Sequence, residues 1–191
     1  MPRSSVRRRK MLGQGLRGLL SLALWGLAVP AMAQSVELTS LQASRDETAL
    51  SLEFSARVTL SKAVQDALQR GVPVYYVAQA QLLRQRWYWR DERVARVTRS
   101  WRVAYQPLTS SWRVGLGGLN QTYPTLAEAM TSVTRSSQWR LADVSQLDPE
   151  ARYQIEFSWR LDTTQLPSPM QIGLTVQADW SLGVERVLRL D

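Results

Sequence analysis

The side chains best suited to recognition chemistry lie between Arg84 and Arg102. Arg84, Arg86, Arg90, Arg93, Arg96, Arg99 and Arg102 face only Asp91 and Glu92 there, a local charge of +5, with Trp87, Trp89 and Trp101 interleaved. A guanidinium is a planar fork that pairs with carboxylate or phosphate and stacks on an aromatic ring, so this mixture suits the capture of an anion. A hairpin turning near Asp91-Glu92 would align its guanidiniums with Trp87, Trp89 and Trp101. The bland reading is that the arginine stems cover the tryptophan rings across strands and pair with acids from elsewhere in the fold. Both readings stand on the sequence.

Catalytic chemistry has little to work with. The chain contains no His and no Cys, which removes the commonest general base, the thiol nucleophile, and the nitrogen and sulfur metal ligands. A Ser-Lys dyad would have to use Lys62, the only lysine after residue 33, at the exposed first turn of a helix rather than in a desolvated pocket. Asp143, Asp148 and Glu150 cluster around an expected loop and could hold Ca²⁺ or act as an acid/base pair, but no EF-hand spacing supports a metal. No catalytic residue, metal ligand or cofactor is assigned.

The elements that position these side chains follow a leader. Arg3, Arg7, Arg8, Arg9, Lys10 and Arg17 form a cationic head, Leu19 to Val29 an apolar run, and Ala31-Met32-Ala33 a small-x-small cleavage site. The apolar run falls short of the ~20 residues that span a bilayer, so cleavage after Ala33 is expected rather than a stable anchor. Arg7 and Lys10 make the Arg8-Arg9 pair ordinary head charge, which favours the Sec route over the twin-arginine route. With the leader removed, 18 basic residues face 16 acidic ones, a charge of +2 in place of +8. A nucleic-acid partner is therefore not expected. Without cysteine no disulfide can form outside the cytoplasm, so folding rests on the core.

Period-two alternation dominates the rest. Leu50, Leu52, Phe54, Ala56, Val58 and Leu60 share one face of a strand; Tyr153, Ile155, Phe157, Trp159 and Leu161 share another. A third alternation, Ile172, Leu174, Val176, Ala178, Trp180 and Leu182, predicts the last strand, after a rigid connection at Pro167 and Pro169. The run from Val72 to Ala80 is apolar on both faces and predicts a central strand that continues through Leu83, Trp87 and Trp89. Ser61 can cap a helix over 62–70, with Gly71 at its left-handed stop, and Thr125-Leu126-Ala127-Glu128 is a capping box for a second helix buried through Leu126, Ala129, Met130 and Val133. The expectation is one mainly β domain over 34–191, an antiparallel two-sheet sandwich with two short α-helices.

Several ordered blocks add a resemblance. They are Gly71-Val72-Pro73-Val74-Tyr75-Tyr76, Arg84-Gln85-Arg86-Trp87-Tyr88-Trp89, Tyr105-Gln106-Pro107-Leu108-Thr109, Tyr123-Pro124-Thr125-Leu126-Ala127-Glu128-Ala129, and Leu161-Asp162 followed by Leu166-Pro167-Ser168-Pro169. With them the chain resembles the secreted proteobacterial family of domain of unknown function 4390. That resemblance implies a signal peptide, Gram-negative origin, no assigned activity and genes often beside a membrane sensor histidine kinase. The combined expectation is a periplasmic, non-enzymatic binding or regulatory module, a partner of an envelope signalling system. An anionic glycan- or lipid-binding envelope protein is the alternative, and a hydrolase the third. The candidate surface is Arg84, Arg86, Trp87, Trp89, Arg90, Arg96, Arg99, Trp101 and Arg102.

Overall fold

The computed structural model describes residues 35–88, 90–166 and 178–190. The leader, Trp89, the Pro167 and Pro169 connection and the Ile172–Val176 part of the expected last strand lie outside them. Where alternation is strong, the strands form as the pattern requires. In β2 (Ala49–Thr59) Leu50, Leu52, Phe54 and Ala56 are buried while Glu53 and Arg57 face water. In β8 (Tyr153–Asp162) every odd position from Tyr153 to Leu161 is buried. Each strand thus presents one apolar face, which must be covered by a second layer.

Two antiparallel sheets provide the layers. β1 (Ser35–Arg45), β2 and β7 (Arg135–Asp143) form a three-stranded sheet in the order β1-β2-β7. The larger sheet has the order β6-β5-β4-β3-β8-β9, from β3 (Val74–Arg84), β4 (Glu92–Gln106), β5 (Ser111–Leu116), β6 (Leu119–Tyr123), β8 and β9 (Gly183–Leu190). The doubly apolar β3 is central, hydrogen-bonded to β4 on one side and β8 on the other. Its inner positions Val74, Tyr76, Ala78, Ala80 and Leu82 are all fully buried.

Aromatic rings tie the layers together. Phe54 of the small sheet lies 4.9 Å from Phe157, with Trp101 at 6.4 Å and Trp139 at 6.2 Å. Such pairs each add ~0.5–1.5 kcal/mol beyond the area they bury. Tyr76 stacks on Trp159 at 5.2 Å and 19°. The Trp159 indole donates to the Val133 carbonyl at 3.2 Å, one of the orphan acceptors at the end of α2 (Leu126–Val133). The Tyr76 hydroxyl is buried and has no partner among the described residues.

Both helices keep their sequence-read caps. Ser61 accepts from the Val64 N–H at the start of α1 (Lys62–Gln69), and Gly71 adopts φ +82° just past its end. Thr125 accepts from the Glu128 N–H at the start of α2. The C-terminal expectation fails where it can be seen. Ala178–Trp180 is a 3₁₀ turn that drops Trp180 into the core, and the last strand is Gly183–Leu190. Alternation records which side chains seek the core, and a turn at the core surface meets that demand as well as a strand does. The expectation also omitted β1, β5, β6 and β7; register shifts break the period-two pattern of β1 and β7, with Gln138 of β7 at φ +48°, and β5 and β6 are only six and five residues long.

Candidate functional site

β3 ends at Arg84 and β4 begins at Glu92, so the described residues between them, 85–88, 90 and 91, belong to the turn of the arginine-rich hairpin. The expected continuation of the strand through Trp87 and the turn at Asp91-Glu92 are both displaced. The reason is that Asp91 and Glu92 tie the base of the turn instead of forming its apex. Asp91 accepts from the Arg86 N–H at 3.4 Å and the Gln154 side chain at 3.0 Å, and Glu92 pairs with the Arg86 guanidinium. On the other side the Gln85 N–H donates to the Arg152 carbonyl at 2.9 Å, and its side chain reaches Gln154 at 3.1 Å. Arg84 pairs with Asp148 at 2.5 Å, and the Asp148 N–H donates to the Tyr153 hydroxyl at 2.8 Å.

A turn held this firmly carries two uncovered rings. Trp87 is 94% exposed and Tyr88 66%, with centroids 5.0 Å apart at 69°. An open cleft of about 770 Å³ lies against them, lined by Arg84, Arg86, Asp148, Glu150 and Arg152 among others. An exposed tryptophan on a hydrogen-bonded support loses little conformational freedom on binding, which is the composition and preorganisation of an interface anchor.

The remaining candidates go elsewhere. Trp101 is 2% exposed and belongs to the core. Arg99 shares its inner face, with the guanidinium 5.2 Å over the Trp139 ring and a hydrogen bond to the Ser136 hydroxyl, and partial burial lowers its pKa. Arg96 and Arg102 lie on the outer face, opposite Gln81 and Tyr75, and Arg96 donates to the Gln79 side chain at 2.5 Å. Arg90 is exposed within the turn. The nine predicted residues therefore do not make one surface; Arg86, Trp87 and Arg90 gather at the turn, with Arg84 at its base. Strand parity separates Arg96 and Arg102 from Arg99 and Trp101, a signal present in the sequence. Tyr88 was missed because an aromatic between two tryptophans was read as part of a strand.

The bland reading of the arginines holds for some of them. Among the described residues only Arg84 and Arg86 of the seven find a carboxylate, while Arg99 covers a tryptophan.

The model of a family described as a domain of unknown function (DUF4390) matches residues 33–189. The chain belongs to this family. No curated protein and no solved structure matches it.

Of the other chemistry-bearing groups of this DUF4390 domain, Asp143, Asp148 and Lys62 are held in ion pairs. Asp143 pairs with Arg140 at 2.5 Å, Asp148 with Arg84, and the Glu150 N–H donates to Asp148 at 3.0 Å. Among the described residues no three acids stand close enough to hold a metal ion. Lys62, its side chain 87% exposed, pairs with Asp66 at 2.8 Å. No helix among the described residues is long and apolar enough to cross a membrane.

Proposed function

We propose that this chain is an exported, non-enzymatic binding module of the Gram-negative envelope, released into the periplasm by cleavage after Ala33, which engages a protein partner through the 85–91 turn. A sensor-kinase signalling system is the partner class this reading favours. The observation that carries it is the near-complete exposure of Trp87 on a turn tied at both sides, since a soluble domain gains nothing by holding an indole in water. Binding that covers Trp87 and Tyr88 would desolvate both rings, and Arg86 and Arg90 beside them supply the polar rim.

The test uses the tagged full chain, expressed with its own leader in a Gram-negative host and used to capture partners from an envelope extract. The double substitution Trp87→Ala, Tyr88→Ala should leave the melting temperature unchanged and reduce capture at least ~30-fold, the loss expected of an aromatic hot spot. Capture of the same proteins at undiminished yield by the double variant would exclude the turn as the recognition element.

A further inference from the structure

Beyond the turn, the outer face of the large sheet divides by charge along β3. On the β4–β5 side Arg93, Arg96, Arg102 and Arg113 occupy outer positions, opposite Leu83, Gln81, Tyr75 and Ala104 respectively. No outer position of β3, β4, β5 or β6 is an acid. The acids of this face, Glu156, Asp162 and Glu185, stand on β8 and β9. None of the four arginines makes an ion pair among the described residues. The undescribed residues contain a single acid, Asp191, so the rest of the chain has almost nothing to offer them.

The stripe is long. Arg93 to Arg102 lie opposite Leu83 to Tyr75 of β3, a span of roughly 27 Å at about 3.4 Å per residue. At its far end Arg102 and Arg113 are diagonal neighbours, roughly 7–8 Å apart, with Gly115 and Ala104 as the small residues directly opposite them. Between and beside the guanidiniums stand amide and hydroxyl side chains, Gln79, Gln81, Thr98, Ser100, Asn120 and Thr122. Val77 and Ala104 are 9% and 7% exposed, and the half-buried Tyr75 and Leu83 stand singly at the two ends of the stretch, so the face lacks the continuous apolar surface that a bilayer or a protein hot spot needs.

We infer that this face is a second binding site, for an extended anionic glycan whose carboxylate or phosphate groups pair with Arg93, Arg96, Arg102 and Arg113 while its hydroxyls bond the intervening amides and hydroxyls. Linear spacing of cations, absence of acids and a hydroxyl-rich lining match such a strand. The inference shares with the proposed function only the reading of the chain as a binding module, and it uses a different surface.

The probe is polygalacturonate, titrated into the purified protein at about 20 mM salt, where the Debye length is roughly 20 Å. Neutral pullulan and anionic phosphatidylglycerol vesicles are the comparison ligands. Two charge-matched double variants separate the stripe from net charge. Arg102→Gln, Arg113→Gln should weaken glycan binding at least about fivefold, each exposed pair being worth roughly a factor of two to five; Arg160→Gln, Arg189→Gln, on the β8–β9 side, should change it less than about twofold. Both should melt within about 2 °C of the parent, as exposed substitutions do. The Trp87→Ala, Tyr88→Ala variant should retain glycan affinity, so failure at the turn and failure at the stripe are read separately. The inference falls if polygalacturonate does not bind at low salt, if the two arginine pairs lose affinity equally, or if vesicles bind through the stripe and the glycan does not.

Discussion

Replacing Tyr76 with Phe should make this protein more stable. Tyr76 is fully buried on the central strand, its ring stacked on Trp159, and its hydroxyl meets no hydrogen-bond partner among the described residues. Taking a hydroxyl out of water without a compensating bond costs about 1–3 kcal/mol on protein scales. The variant removes that cost and keeps the ring, so about 1–2 kcal/mol of added stability is expected, a rise of roughly 2–8 °C in melting temperature for a domain of this size. The same burial raises the phenol pKa far above its ordinary value of 10.0. A raised folded-state pKa means that stability is whole below about pH 10 and declines above it, as the unfolded chain releases a proton that the folded chain retains. The Tyr76→Phe variant has no such proton, so it should also lose less stability between neutral and strongly alkaline pH. Calorimetry and denaturant melts of both proteins at neutral and alkaline pH measure the two effects. A variant less stable than the parent at neutral pH would refute the reasoning, because it would mean that the hydroxyl makes a favourable bond in the folded protein.

Other outcomes follow from the same contacts. Phe157→Ala should cost about 3–5 kcal/mol in denaturant melts, since the ring is 2% exposed and packs 4.9 Å from Phe54 across the two sheets; a loss under about 1 kcal/mol would mean that the layers pack differently. Asp46 is held below its ordinary value of 3.8 by the Thr48 and Ala49 N–H groups and the Thr48 hydroxyl. Burial pushes Asp162 upward, but hydrogen bonds from Thr164 and Gln165 and the charge of Arg160 outweigh it, so this carboxyl too lies below 3.8. Depressed carboxyl pKa values give stability that is whole above about pH 4 and lost as pH falls through the folded-state values. The acid limb of the stability profile should therefore be shallower in Asp162→Asn, as followed by circular dichroism from neutral pH to about pH 2.

Much of this fold was legible along the chain because its determinants are local. Alternation in β2 and β8 needs only the preference of Phe54 or Trp159 for an interior, and the caps at Ser61 and Thr125 need only a side chain and an N–H three residues on. The same local reading marked the arginine-aromatic hairpin as the place to look. Which part of it faces outward was a tertiary matter. Arg84 finds Asp148 and Gln85 finds Arg152, partners more than sixty residues away, and these contacts close β3 at Arg84 and leave Trp87 at the apex. The β4 parity that divides Arg102 from Trp101 is written in the sequence, but only sheet-on-sheet packing decides that the Trp101 side is the interior, because Phe54 and Trp139 arrive from the other layer to cover it. The stripe from Arg93 to Arg113 likewise required the β4–β5 register, since no pattern along one strand tells which residues of another will lie beside it.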